Sequence, residues 1–455
     1  MRWQKCFGFT AFIAAMFLWL PAAADAQVVP PPTPPQAAPW SWQDTFAPVP
    51  FASRWEAATI LEQENVEIAP EDTPVKTRQQ PGYEPVGVRA GSWMFHPSLS
   101  VGGLYNSNVF ATTANKQSDL ALVVQPSLNL QTLWERHAID IQADAMSQSY
   151  LNNPGLDQLN ASLRARGKYD ISHDAMLLTS ARVARLYEAV GSLTSPQGAV
   201  KPTPYDIANG DTTYVQQFGR LTASMGLRAT TYNYGSTVAQ NGTPISQDSR
   251  DGQVYAGHSR IEYVFAPNLG FFGAAEVNRR ELHGTPTESF NSSGYRALAG
   301  ATIEFTHLLT GEIAAGYADQ RFDSNTIADI VGPTYRFLLK WSPTRSLDVH
   351  FKAEHAVTDV VETSTTGVRA DAYQMGFDYE IRRNVIFSAA AIFERDKFFG
   401  STRKDTVVSS IAELKYMLNR YLSVSLRHQY TNRDSNQLSF VYDRHEVMLT
   451  AVAQF

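Results

Sequence analysis

The chain has 455 residues and a formal net charge of -6, which leaves no basic surplus for a nucleic-acid surface. Only 18% of its residues are Asp, Glu, Lys or Arg, against about 25% in an ordinary soluble domain, while aromatic residues reach 11%. Part of the surface is therefore expected to meet something other than water.

The N-terminus reads as an address. "MRWQK" is basic, "CFGFTAFIAAMFLWL" is an apolar run, and "AAADAQ" offers small residues at Ala24 and Ala26. This predicts a secretory signal peptide over residues 1–26, since the run is short for a spanning helix and a cleavage pattern follows. Cys6 lies within it, so the mature chain is expected to carry no disulfide and no thiolate chemistry. Residues 27–93 open with "VVPPPTPPQAAPWSWQDTFAPVPF", an extended, Pro-rich composition. They are expected to form a largely unstructured periplasmic arm.

From residue 94 to 455 the pattern changes. No apolar stretch reaches the length of a spanning helix, and segments of about ten residues alternate apolar and polar instead. In "SLDVHFKAE", Leu347, Val349, Phe351 and Ala353 oppose Asp348, His350, Lys352 and Glu354. "YQMGFDYEI" and "YLSVSLRHQY" repeat the design. Short turns such as "DISHDA", "FAPNL" and "EIRRN" separate these segments in alternation with long polar stretches such as "TVAQNGTPISQDSRD". That asymmetry predicts an all-β chain: a single transmembrane, antiparallel up-and-down barrel of about 18 strands, or 16 if the weak segment 211–218 or the first strand is misread. Tyr335, Phe337, Leu339, Trp341, Phe387, Phe393, Tyr416 and Tyr430 then face lipid.

Strand parity assigns the other face to the lumen. Its expected cations are Arg164, Arg166, Lys168, Arg228, Arg260, Arg280, Arg296, Arg336, Lys340, Lys352, Lys415 and Arg427. Its expected anions are Asp140, Asp144, Glu262, Glu276, Glu304, Asp348, Glu354, Asp378, Glu380, Glu394, Glu413 and Glu446. A wall so nearly neutral suits a polar, bulky or weakly charged solute better than a strongly selected ion. The longest loop, "GSLTSPQGAVKPTPYDIANGD", is a candidate constriction, with Pro202, Pro204, Tyr205 and Asp206 near the solute path.

Catalytic signatures are absent. There is no Gly-x-Ser-x-Gly elbow and no His-Glu-x-x-His, and "RHEVM" lacks the second histidine of a zinc site. His428, on the outward face, is better explained as an interfacial side chain than as half of a catalytic dyad. No catalytic, cofactor-binding or metal-binding residues are expected, and no cofactor.

"GVRAGSWMFHPSLSVGGLYNSNVFAT", "PTPYD", "LNRYLSVSLRHQYTNRDSN" and the final "AVAQF" resemble the Putative beta-barrel porin 2 family over most of residues 83–455. The resemblance implies a Gram-negative outer-membrane location and an association with exopolysaccharide synthesis and export. It carries over no catalytic residue. The functional expectation is a porin-like conduit or accessory barrel for exopolysaccharide export, against a general diffusion porin for small hydrophilic solutes and, at lower weight, a barrel enzyme. Expected partners are outer-membrane lipid, the barrel-assembly machinery, and polysaccharide or periplasmic export components. In "EVMLTAVAQF" the alternation continues to Phe455, which is expected to lie on the closing strand and to serve as an assembly signal.

Overall fold

The computed structural model describes residues 75–76, 78, 80–284, 289–358 and 367–455. The expected signal peptide and most of the expected arm lie outside them. Period-two alternation folds as eighteen long strands. The first six are β1 (Trp93–Asn106), β2 (Asp119–Thr132), β3 (Ala138–Tyr150), β4 (Gln158–Asp170), β5 (Ala175–Glu188) and β6 (Thr203–Phe218). Next come β7 (Leu221–Tyr234), β8 (Gly252–Ala266), β9 (Leu269–Leu282), β10 (Ser292–Thr306), β11 (Leu309–Phe322) and β12 (Ile330–Thr344). The last six are β13 (Leu347–Thr358), β14 (Gly367–Arg382), β15 (Val385–Phe399), β16 (Lys404–Met417), β17 (Leu422–Ser435) and β18 (Tyr442–Gln454).

Each strand pairs antiparallel with the next, and β18 pairs with β1 from Ser98↔Gln454 to Asn106↔Glu446, so the sheet closes on itself. Closure gives every strand two partners, which a lipid environment requires because it satisfies no free backbone group. No helix among the described residues is long and apolar enough to cross a membrane.

The two ends of the barrel differ. At one end the turns are tight, as at Gly219 and Arg220, where Gly219 takes a φ of +63° that an L side chain rarely adopts. Register shifts next to the turns at Val264/Ala266, Glu304/Thr306, Trp341/Thr344 and Glu380/Arg382 add local twist there. The other end carries the long loops, 107–118, 189–202 and 235–251 among them.

Faces follow the pleat. Leu99, Val101, Leu122, Leu163, Leu227, Met375, Leu426 and Leu449 are 42–73% exposed on the outer face, an apolar band with no protein to cover it. Aromatic contacts flank the band at the short-turn end, Trp93 edge-on to Trp134 at 6.1 Å and Tyr421 stacked on Phe455 at 5.7 Å. Such rings suit the interfacial zone, with one side apolar and the other wet.

One strand is longer than its alternation suggests. β6 begins at Thr203 and not near residue 211, with Tyr205 and Ile207 buried on the inner face and Asp206 on the outer. This upper stretch stands beyond the lipid zone, where polar outward residues cost nothing, so the apolar half of the pattern is missing from it.

Candidate functional site: the lumen and its closures

The inner wall is a network of charges joined across strands. Arg260 bridges Glu262 at 3.0 Å and reaches three strands away to Glu312 at 3.1 Å, and Arg336 meets the same carboxylate at 3.5 Å. Arg296 lies between Glu276 at 3.6 Å and Glu354 at 3.8 Å. Arg228 donates to Asp211 at 3.1 Å, and Lys168 lies 3.9 Å from Asp170. Asp144 and Asp140 accept from Ser127 and Asn129, both at 2.7 Å. Chords such as β8 to β11 are possible only because the sheet curves inward, which brings side chains from non-neighbouring strands together.

The registers set the other expected lumen residues on this face. Arg164 pairs with Arg182 and Gln142, Arg166 with Asp140, Lys340 with His350, Lys352 with Leu338 and Gln374, and Arg427 with Glu413 and Met448. Arg280, opposite Val254 and Ser292, follows the same parity, as do Lys415 opposite Ile386, Glu394 opposite Ala372 and Glu446 opposite Asn106. Glu304 sits at the short-turn end, within 2.5 Å of His307. Glu312, Asp211, Arg182 and Arg444 also face inward and were not among the expected residues, although the same parity in "LTGEIAAGYADQRF" marks Glu312.

The loop 189–202 enters the barrel. Val190 packs with Leu104, Val109 and Ala121 near β1 and β2, and the Gly191 carbonyl accepts from the Tyr442 hydroxyl of β18 at 3.0 Å. Arg433 of β17 donates to the Ser192 carbonyl at 3.3 Å, and Leu193 packs on Val368, Ala370 and Phe398 of β14 and β15. β14 stands nine strands from β5 in a ring of eighteen, on the opposite wall. The chain therefore crosses the lumen before returning to β6.

The candidate constriction residues divide. Pro202 ends the loop and is buried, whereas Pro204, Tyr205 and Asp206 belong to β6. Tyr205 faces inward, 2% exposed and stacked on Tyr234 at 5.2 Å. Asp206 points outward, held bidentately by Arg185 at 2.7 Å, because strand parity turns it away from the lumen.

Two buried ion pairs fix the loops at this end. Arg250, in the β7–β8 loop, donates to Glu188 at 2.5 and 2.9 Å, and its guanidinium lies 3.8 Å from the Tyr234 ring centre. Burial opposes the Arg250 charge, but the facing Tyr234 and Glu188 oxygens outweigh it and raise its pKa above the ordinary guanidinium value. Thr194 of the crossing loop donates to Glu188 at 2.7 Å, which ties the loop to the pair. Arg403 bonds Asp405 at 2.6 Å and is sandwiched by Phe440 at 3.5 Å and Phe398 at 4.1 Å.

At the short-turn end a second segment sits against the wall. Val75 is fully buried with Ile386 and Met417, and its N–H donates to Asp348. Lys76 bonds Asp378 at 2.9 Å, while Arg78 lies 3.6 Å from Glu380, which also accepts from Gln80 at 3.0 Å. Three expected lumen carboxylates are thus brought together by the residues that lead into β1. Alternation within single strands carries no signal of this contact.

The chain shows remote similarity to several solved structures. The siderophore receptor PirA of Pseudomonas aeruginosa shares 8% identity over 79% of this chain and 80% of its own, with a TM-score of 0.44. OccK2 (OpdF) of the same organism shares 10% over 82% and 99%, with a TM-score of 0.45, and OpdL 12% over 80% and 99%, with a TM-score of 0.42. Among curated proteins, no sequence relative is found. The Putative beta-barrel porin 2 family model spans residues 80–455, the whole of the closed barrel, and the chain belongs to that family of porin-like outer-membrane barrels.

Proposed function

We propose that the protein is an outer-membrane conduit for a polar, weakly charged solute, closed at rest by its own loop and working with exopolysaccharide export. The observation that carries this reading is the 189–202 loop, which crosses from β5 to β14 and is held on both sides. A loop tied at several points to facing walls narrows the path more than a free loop would, which favours a closed resting state. The paired charges of the wall offer a hydroxyl-rich chain many hydrogen-bond partners without a strong net field, and ordered waters can complete them. The association of family members with exopolysaccharide systems supports the choice of solute.

Two measurements test the proposal together. In planar bilayers the intact protein should conduct little, and removal of residues 192–200 with a short Gly-Ser bridge should give a stable, larger conductance. In cells, deleting the gene should reduce secreted polysaccharide while uptake of small nutrients is unchanged. Steady ohmic conductance of the intact protein with normal polysaccharide secretion would instead support the general diffusion porin.

A further inference from the structure

On the outer face, at the long-loop end, four cations gather on three adjacent strands. The registers set Arg369, Lys397 and Lys404 side by side across β14, β15 and β16, with Arg395 one outward step below Lys397. Arg395, Lys397 and Lys404 are exposed; Asp371 stands opposite Arg395 in the register, and its carboxylate is taken up by His355. Arg369 is half-buried and spends one donor on the Val331 carbonyl at 2.9 Å. Like charges directly opposite on neighbouring strands repel, so an anion placed against such a row would stabilise it.

Other outward cations at this end are already neutralised. Arg185 pairs with Asp206 at 2.7 Å and Arg279 with Asp323 at 2.7 Å. The row on β14–β16 is therefore different in kind. Its height is also informative. Ten residues separate Tyr379 from Arg369, and ten separate Phe387 from Lys397. At ~3.3 Å per residue and a tilt of roughly 40°, that is about 25 Å along the membrane normal, the height of the apolar band. The cations thus stand at the level of the outer headgroups. Phe399, one outward step above Lys397, lies 5.3 Å from the Arg369 guanidinium, and beneath the row Phe393 lies 5.0 Å from that of Arg395, so the charge is continuous with an apolar ring below.

We infer that this patch docks a phosphate-bearing lipid of the outer leaflet, the phosphate against Lys397, Lys404 and Arg395 and the acyl chains along Phe393 and the band below. An anion of this class supplies the charge the row lacks, and an attached lipid supplies the apolar body that the rings meet. The inference adds a lipid site to the conduit proposed above and does not depend on what the lumen carries.

The test uses the full-length protein in neutral detergent, titrated with a diphosphorylated outer-leaflet glycolipid and with the same lipid after phosphatase treatment, read by native mass spectrometry. Wild type should retain the phosphorylated form, with affinity falling as salt rises. Arg395→Gln, Lys397→Gln and Lys404→Gln should each weaken retention by about five-fold, and the triple variant by about a hundredfold. Lys397→Arg with Lys404→Arg should keep it, and Arg279→Gln should not change it. Heat-modifiable migration on gels reports whether each variant is folded, and the single variants stand if the triple one is not. Equal retention of the dephosphorylated lipid, or of the lipid by the folded triple variant, overturns the inference. So does displacement of the lipid by millimolar inorganic phosphate, which would mark a free-anion site instead.

Discussion

Glu188 and Arg250 are 62 positions apart in the chain and 2% and 5% exposed at the side chain, yet they make two charge-assisted hydrogen bonds. Neither could be buried alone. Removing one partner leaves the other charge without compensation, and such losses cost roughly 3–5 kcal/mol. Glu188→Ala or Arg250→Ala should therefore lower the temperature at which the folded band disappears on heated gels. Replacing both together, Glu188→Leu with Arg250→Met, should recover most of that loss, because no buried charge then remains. Single substitutions that leave the melting temperature unchanged would show that water enters this corner and screens the pair. Chain pattern alone does not reveal the pair: Arg250 lies in a loop without periodicity, and nothing local to it points to Glu188.

The crossing loop depends on one backbone position. Gly191 takes a φ of +78°, and a Cβ there would lie 2.2 Å from the Ala111 side chain. Gly191→Val should thus lift the loop from its seat, raise conductance in planar bilayers and open the chain at Val200 to elastase, with the strands still protected. Unaltered conductance and cleavage would mean that the loop can reach the opposite wall by another path. This element also marks what the sequence discloses. Period-two alternation with short and long connections is enough for eighteen antiparallel strands and their closure, because lipid on one side and a wet lumen on the other impose opposite chemistry on successive residues. The same pattern fades where a strand leaves the membrane, as at Thr203–Asp206 of β6, and says nothing of loops. The contacts of Leu193 with Phe398, or of Lys76 with Asp378, join segments hundreds of residues apart and have no local signature.

Over the whole molecule, the barrel inverts the arrangement of a soluble protein, with large apolar side chains uncovered outside and ion pairs enclosed within. The two faces should therefore respond oppositely to the same charge. Leu449, near the middle of β18 and 56% exposed, faces the apolar band, while Ser100 on the paired strand β1 faces the lumen. An Arg near the middle of the band costs ~2–4 kcal/mol, whereas a lumen cation stays hydrated and finds carboxylates nearby. Refolding from urea into lipid vesicles measures the difference. Leu449→Arg should shift the folding midpoint to lower urea and reduce the heat-modifiable fraction, and Ser100→Arg should leave both close to wild type. Both substitutions lie beside the β1–β18 seam, so they load the same stretch of closure and differ only in the face they occupy. Only the lipid-outside, water-inside assignment predicts that one falls and the other does not, and equal losses would remove the membrane-spanning reading of this band.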